Sequence, residues 1–317
     1  MTPRIIFLFL FICLSFRLQA LTWDEPWQDK VIKEAEHFIF GKIISADEEK
    51  GLVVEVIKSL AGKEIKGEIK ITGFYMTDIC SSSGGHGPEF HFGKVKEAYF
   101  FIKKDKKDEY SIATPMAGFA AMSGDKVLAT YRHSYHQCLV SPELYEITMT
   151  AFFKKYHGEK YQAKPIEKHI KKYLDLPPAG FTKTEVEIFF DQHVALESIY
   201  HLRLSGYCEK IIPFLNDTAN FHNQVSAARA LVTCNTNESN EALLAVIADT
   251  SRSDFVKVLC IWSLMENKPS ALKERLEKMV ATASEESNGF GGNLMDPRVC
   301  TRIPSVKRAL ERLIDNL

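Results

Sequence analysis

The chain has 317 residues, of which 45% are hydrophobic and 26% are charged, and its formal net charge is −1. This composition is typical of a soluble globular protein that is long enough for two domains. The near-zero charge and the lack of a dense Lys/Arg run exclude the basic patch that nucleic-acid-binding proteins normally show.

The N-terminal sequence MTPRIIFLFLFICLSFRLQA predicts a signal peptide over residues 1–20. It has a positive charge at Arg4, an apolar run from Ile5 to Phe16, and the small residue Ala20 where cleavage is expected. The apolar run is shorter than the about 20 residues that span a bilayer. We therefore expect an exported protein, periplasmic or secreted, with no membrane span.

Residues 21–158 show mostly the alternation of apolar and polar side chains that is typical of β-strands. Short strands with turns between them predict a small antiparallel β-barrel or β-sandwich, of which we expect the barrel. The predicted elements are a helix at 25–36, strands at 37–44, 51–60 and 67–74, later strands in EAYFFIKKD, EYSIATP and KVLATY, and a closing helix in SPELYEITMTAFFKKYH.

The first strands, AEHFIFGKIISADEEKGLVVEVIKSLAGKEIKGEIKI, are followed by a loop cysteine and YFFIK. This order resembles the OB-type β-barrel of netrins and tissue metalloproteinase inhibitors, over about a hundred residues. The resemblance implies a barrel and, as one alternative, inhibition of a protease. Inhibitors of that family chelate zinc through an N-terminal cysteine, whereas the mature chain here begins near LTWDEPW, so the likeness favours the barrel over the inhibition.

Residues 159–317 change to a helical period. The segments ESIYHL, AARALV and LCIWSL begin at 197, 227 and 259, and each is followed by a second amphipathic segment. A helix pair that recurs at this interval is typical of an α-solenoid, because one pair alone cannot bury its apolar face. The pattern resembles HEAT repeats, which implies a surface for a protein or peptide partner. The expected fold class is α+β, with a barrel followed by a HEAT-like solenoid.

Histidines concentrate in the glycine-rich loop CSSSGGHGPEFHFG and in YRHSYHQC. Imidazoles are common ligands of zinc and copper, so His86, His91 and His136 form a candidate metal site, with Glu89 or a thiolate completing it. If YRHSYHQC is one continuous strand, His136 and Cys138 share a face that His133 does not. No G-x-S-x-G motif surrounds the serines of the loop, which argues against a serine hydrolase.

Six cysteines remain after Cys13 is removed with the signal peptide, and an even number in an exported protein favours disulfides. Cys80 and Cys138 are the only pair in the barrel half, so we expect a bond between them, which would exclude the thiols but not the histidines as metal ligands. Cys208 and Cys234 lie near helix ends in adjacent repeats and form a second candidate pair.

The segment EESNGFGGNLMDPRVC (285–300) is predicted to be a loop within the last helical repeat, and Phe290 is its candidate partner contact. Solenoids mainly bind proteins or peptides and seldom carry chemistry. We therefore expect a non-enzymatic binding or scaffold protein. The alternatives are a metal-dependent role centred on the loop histidines and, third, protease inhibition by the barrel.

Overall fold

β-strands dominate the first half of the computed structural model, and helices dominate the second half. The structure describes residues 23–79, 88–105, 109–286, 288–291 and 299–317. The strands are β1 (Trp23–Asp24), β2 (His37–Asp47), β3 (Gly51–Gly62), β4 (Gly67–Phe74), β5 (Asp78–Ile79), β6 (Glu97–Lys104), β7 (Tyr110–Ile112), β8 (Phe119–Ser123), β9 (Lys126–His133), β10 (His136–Val140), β11 (Asn288–Gly291) and β12 (Val299–Ile303).

The helices begin with a short segment that precedes the barrel and continue from the end of β10. They are α1 (Gln28–Glu34), α2 (Pro142–Tyr156), α3 (Lys164–Leu174), α4 (Val186–Leu202), α5 (Cys208–Asn216), α6 (Phe221–Ala230), α7 (Asn237–Ala248), α8 (Asp254–Asn267), α9 (Lys273–Val280) and α10 (Val306–Asp315). Among the described residues, no helix combines the length and the hydropathy that crossing a membrane requires.

Five strands close into the predicted barrel, in the order β6-β2-β3-β4-β7, with β7 pairing back onto β6. The barrel is not wholly antiparallel as expected, because β7 lies parallel to β4. β7 follows β6 along the chain and runs antiparallel to it. β7 therefore lies beside β4 and runs in the same direction as β4. The closure leaves the barrel sheet without an open edge between β4 and β6.

β6 and the first residues of β2 are buried on both faces, which explains their apolar sequences. Ile39 of β2 and Phe100 of β6 belong to the cluster that fills the barrel. Their neighbours Phe38 and Phe101 point the other way and join the main core with the helices. A strand covered on both faces reads as a continuous apolar run, as EAYFFIKK does.

β8, β9 and β10 extend the sheet outward from β6. The run YRHSYHQC is not one continuous strand, because a turn at residues 134–135 separates β9 from β10. His133 and His136 therefore lie opposite one another across a hairpin, with a register shift after His136. The hairpin carries Arg132 and His136 toward the helices.

A second sheet joins distant parts of the chain, in the order β11-β12-β1-β5. β1 lies parallel to β12, with Trp23 opposite Val299, and antiparallel to β5. The segment 285–300 is therefore not simply a loop of the helical region as predicted. It contributes β11, which pairs with β12, and the first residues of β12, which pairs with β1 at the start of the described chain.

The even-numbered helices α4, α6, α8 and α10 contact one another in succession. Each of α3, α5, α7 and α9 packs against the helix that follows it. The three aligned segments begin at 197, 227 and 259, within α4, α6 and α8. Three elements of the N-terminal half, α2, β9 and β10, pack against α4 and cover it. Even polar side chains of α4 are therefore buried.

One predicted disulfide is confirmed. Cys208, at the start of α5, is bonded to Cys234, just beyond α6, with a Cα–Cα distance of 5.8 Å. Cys260 has a free thiol that is buried in the core, as expected for a small apolar side chain. The disulfide ties two consecutive helices of the helical region together.

Candidate functional site

The residues singled out from the sequence lie in different places. Cys80 and His86 lie outside the described residues. His91 lies on the surface of the barrel beside two glutamates. His136 lies instead between the N-terminal half and the helices, where its ring contacts His193 and His222. The three-histidine metal site as a whole stays a prediction.

Phe290 lies in β11, with its backbone opposite Thr301 of β12. The structure therefore places this predicted contact residue in a sheet, and its role toward a partner stays a prediction.

The predicted disulfide between Cys80 and Cys138 is wrong, because Cys138 has a free thiol. Cys138 lies on β10 opposite Ala129, and its buried thiol donates a weak hydrogen bond to the carbonyl of that residue at 3.7 Å. Burial raises the pKa of the thiol, which keeps it protonated and unreactive. Cys300 is disulfide-bonded.

A group of two carboxylates and one imidazole forms the first candidate site. Ligand atoms of Glu48, Glu89 and His91 lie within 4.8 Å of one another. Glu48 Oε1 is 3.7 Å from Nδ1 of His91, and Glu89 Oε2 is 3.5 Å from its Nε2. This is the only such group of three among the described residues. Imidazole and carboxylate are ligands that zinc, copper and manganese accept.

The local sequence explains why these side chains meet. Phe90 and Phe92 are buried in the barrel cluster, so the alternating residues on either side of Phe90, Glu89 and His91, face outward. The backbone N–H of Phe90 donates to the carbonyl of Glu48 at 3.0 Å. That bond holds the segment beside the turn between β2 and β3.

The second candidate site is a buried polar group between the β9–β10 hairpin and helices α4 and α6. We call it the junction cluster, and it consists of Arg132, His136, His193, Glu197, His222, Ser226 and Arg229. All of these side chains are buried except His222, which is half-buried.

Hydrogen bonds hold the charged members of the junction cluster in place. Arg132 Nη1 donates to the carbonyl of His222 at 3.1 Å and to Ser226 Oγ at 2.9 Å. Glu197 accepts from Ser226 Oγ at 2.7 Å and from Arg229 Nε at 3.1 Å. The carboxylate of Glu197 thus faces the guanidinium groups of Arg132 and Arg229, and the junction cluster as a whole carries a net positive charge.

The arrangement of protons in the cluster follows from these bonds. Ser226 gives its only proton to Glu197, so His193 Nδ1, at 3.0 Å from Ser226 Oγ, must be the donor of that contact. The Nε2 of neutral His193 is then an acceptor. Among the described residues, neither this atom nor Nε2 of His136 has a hydrogen-bond partner.

Burial lowers the pKa of every histidine in this region. The pKa of His222 falls to about 3, chiefly through burial and secondly through the charge of Arg132. Burial also holds the pKa of His136 and of His193 well below its usual value, and the second cause is the neighbouring His193 for His136 and Arg132 for His193. Beside the cluster, burial lowers the pKa of His133 and of His201 to about 4. All five rings are therefore neutral at pH 7.

The cluster contains the residue types of a serine–histidine–acid triad but not its arrangement. In a triad the acid accepts from the histidine and orients it, whereas Glu197 accepts from Ser226 itself. Ser226, His193 and Glu197 are also buried, so a substrate has no access to them in this conformation. Arg132 lies within the cluster, and its positive charge also disfavours a divalent cation there.

Two exposed aromatic residues lie at the rim of the junction cluster. Phe181 is 55% exposed and Tyr135 is 43% exposed. Their rings lie 5.8 Å and 6.4 Å from the ring of His222, and Phe181 also contacts Phe189 at 4.6 Å. We call Tyr135, Phe181 and His222 the aromatic patch.

Sequence reasoning missed most of the junction cluster. The helical period draws attention to the apolar residues of a buried helix face. The buried faces of α4 and α6 also contain polar residues, namely His193, Glu197 and Arg229. Polar residues at core positions of HVALESIYHL were the available signal. Comparison with protein-family models, with curated proteins and with solved structures found no match to the chain.

Proposed function

We propose that the chain is a non-enzymatic protein-binding protein whose helical region is a HEAT-like α-solenoid. The support is the succession of contacts among α4, α6, α8 and α10, each with a preceding helix packed against it. Helix pairs stacked in this way expose extended surfaces that bind proteins or peptides. The closed five-stranded barrel agrees with the OB-type likeness of the first half.

We also propose that the protein works in the periplasm or outside the cell. The supporting observation is the disulfide between Cys208 and Cys234. Disulfides persist in oxidising compartments and are rare in the cytosol. The signal peptide predicted over residues 1–20 agrees with this location, although it lies outside the described residues.

The observation that carries the binding proposal is the aromatic patch. The N-terminal half covers α4, so the partner surface must lie partly elsewhere. Aromatic side chains are enriched among the residues that contribute most to binding energy, and contiguous exposed apolar surface commonly marks an interaction site. Phe181 and Tyr135 are two such exposed aromatic side chains, and both contact the ring of His222 where the hairpin meets the helices.

The test is capture of a partner from the exported fraction of the source cells, followed by calorimetry with the purified partner. We expect Phe181→Ala to weaken binding at least about tenfold, as removal of a central aromatic contact does. Ile57→Ala is the matched control, because Ile57 is 48% exposed but lies on β3 of the barrel. Equal affinity of wild type and Phe181→Ala would contradict the role of the patch.

A second candidate function is binding of a divalent transition metal, supported by the grouping of Glu48, Glu89 and His91. Chelator-free protein would be titrated with Zn²⁺ or Cu²⁺ by calorimetry, and its native mass measured. We expect one bound ion, with affinity lost in His91→Ala and reduced in Glu48→Gln. His169→Ala is the control. Unchanged binding in His91→Ala would place the metal at another site.

A further inference from the structure

The contact between the N-terminal half and the helices contains half of the chain's ten histidines. His136, His193 and His222 belong to the junction cluster. His133 and His201 lie beside it: His133 Nε2 contacts the carbonyl of Glu25 at 3.1 Å, and His201 Nε2 donates to the carbonyl of Tyr131 at 2.7 Å. All five lie where the β9–β10 hairpin, α1 or α2 meets the helical region of the second half.

Charged groups of both signs reach this contact from the elements packed against it. β9 supplies Arg132, and α6 supplies Arg229. α4 supplies the buried Glu197. It also supplies Asp191, which acts at longer range and affects the thiol of Cys138 on β10. α1 supplies Asp29, which is partly exposed and lies near Lys33. Among the described residues, Glu197 is the acid that lies within hydrogen-bond distance of other members of the cluster.

We propose that the junction cluster is an acid-released clasp: protonation of its histidines separates the β9–β10 hairpin from α4 and α6 and uncovers the inner side of the helix row. The release goes beyond the proposed binding function and does not depend on it. Only the use of the uncovered side by a protein partner rests on that function.

Each histidine has a structural reason to resist a proton while the contact is closed. The rings of His136 and His193 meet edge to face at 4.2 Å, so two charged rings would repel across a dry contact. Arg132 adds a fixed positive charge beside them, within 3.3 Å of His222 Nδ1. Among the described residues, the two unpartnered Nε2 atoms also have no acceptor for a new N–H.

His201 resists for a different reason. Its Nε2 donates to the carbonyl of Tyr131, so the neutral ring accepts the hydroxyl proton of Tyr156 at Nδ1, 2.7 Å away. A second ring proton would place two donors in that contact. The hydrogen bond between α2 and α4 would then have to break or reverse.

The pH range of the release follows from the sign of the shifts. In the open state the histidines are hydrated and take up protons near the ordinary pKa of 6.5. In the closed state their pKa values are lower, about 4 for His201 and about 3 for His222. Closure is therefore fully favoured above about pH 6.5 and is lost as the pH falls toward 4. For each proton taken up on opening, the equilibrium constant for opening rises by up to about tenfold for every unit by which the pH falls.

The tryptophans provide a direct measurement of the release. Trp27 contacts His133 at 5.3 Å, Trp262 of α8 at 6.0 Å and the guanidinium of Arg229 at 5.0 Å. Opening would hydrate Trp27 and Trp262 and shift their fluorescence to the red. The experiment follows fluorescence, the radius of gyration by X-ray scattering, and far-ultraviolet circular dichroism of the full mature chain from pH 7.5 to 4, without metal or partner.

We expect the fluorescence shift and a larger radius below pH 6, with helical circular dichroism retained, and with an uptake of at least two protons. Loss of helicity together with the fluorescence change would show ordinary acid unfolding and overturn the proposal. An unchanged radius down to pH 4 would overturn it as well.

The decisive variant is His136→Phe, because the site is already lined by Phe189 and two imidazole rings. It should lower the midpoint pH and remove about one proton from the uptake. His193→Phe is the second variant, used if the first does not fold. The control is Ile57→Ala on the barrel surface, which should leave the transition unchanged. A midpoint that is the same in wild type and both junction variants would overturn the clasp.

Discussion

Glu197 is the residue on which the charged part of the junction cluster depends. Its side chain is wholly buried, and it is the acid bound to Arg229, with Arg132 3.9 Å away. A buried charge is costly unless it is paired and hydrogen-bonded, and here one carboxylate compensates two guanidinium groups. Burial lowers the pKa of Arg132 to about 10, which still leaves it charged at pH 7.

The first prediction is that Glu197→Gln strongly destabilises the fold. The amide keeps the size of the side chain but leaves two buried positive charges uncompensated. We expect a loss of about 3–5 kcal/mol in the free energy of unfolding, measured with urea. Glu241→Gln is the control, because its pair with Arg275 is exposed and should contribute less than about 1 kcal/mol. A loss in Glu197→Gln as small as in the control would contradict the pairing argument.

Single residues also show what a sequence can reveal of a site. The glycine-rich stretch drew attention to His91 and Glu89, whose Nε2 and Oε2 atoms lie 3.5 Å apart. Glu48 joins them through the β2–β3 turn, which no local pattern indicates. The contacts of His136 with His193 and His222 depend on how the hairpin meets two helices, and spacing along the chain does not contain that information.

Among the elements, the β2–β3 hairpin depends on backbone conformations that only glycine adopts readily. Gly62 ends β3 with a φ of +81°, and a Cβ there would meet the backbone carbonyl of Glu36. Gly124, in the turn between β8 and β9, has a φ of +63° but open space around it. The two positions share a positive φ and differ in their surroundings.

The second prediction uses this matched pair. Gly124→Ala should reduce the free energy of unfolding by about 1 kcal/mol, the usual cost of a left-handed alanine. Gly62→Ala adds a clash with backbone that cannot move away without shifting the start of β2, so we expect it to cost at least about 2–3 kcal/mol more. Urea unfolding of both variants gives the comparison. Equal losses would show that the backbone near Glu36 yields easily.

Elements with a strong local pattern were predictable. β4 occupies residues 67–74 as expected from GEIKITGF, and α2 follows the helix predicted from SPELYEITMTAFFKKYH. The turn inside YRHSYHQC was missed because Ser134 and Tyr135 carry no glycine or proline signal. β1 and β12 are short, and their pairing links opposite ends of the described chain, so alternation over a few residues could not reveal them.

At the scale of the whole molecule, the neutral buried histidines make stability depend on pH. A histidine with a lowered pKa in the folded state is neutral in both states above about pH 6.5, so stability is highest there. Between that pH and about 4, the unfolded chain binds more protons than the folded chain, and the free energy of unfolding must fall with decreasing pH.

The third prediction is the size of that fall. Each histidine that titrates only after unfolding contributes up to about 1.4 kcal/mol per pH unit. Urea unfolding at pH 7.5, 6 and 5 should therefore give steadily lower stabilities, and His201→Gln should show a shallower dependence than wild type. His91→Gln should keep the slope of wild type. A flat profile from pH 7.5 to 5 would mean that the buried rings are hydrated in solution.

The parallel pairing of β1 with β12 has a consequence for synthesis on the ribosome. The strand that contains Trp23 emerges early, yet its partner at Val299 is among the last parts of the described chain to be made. The barrel can close as soon as β7 has emerged, and the helices can add in order behind it. The β1–β12 contact must wait for nearly all of the chain, which makes the docking of the N-terminal strand a late step in folding.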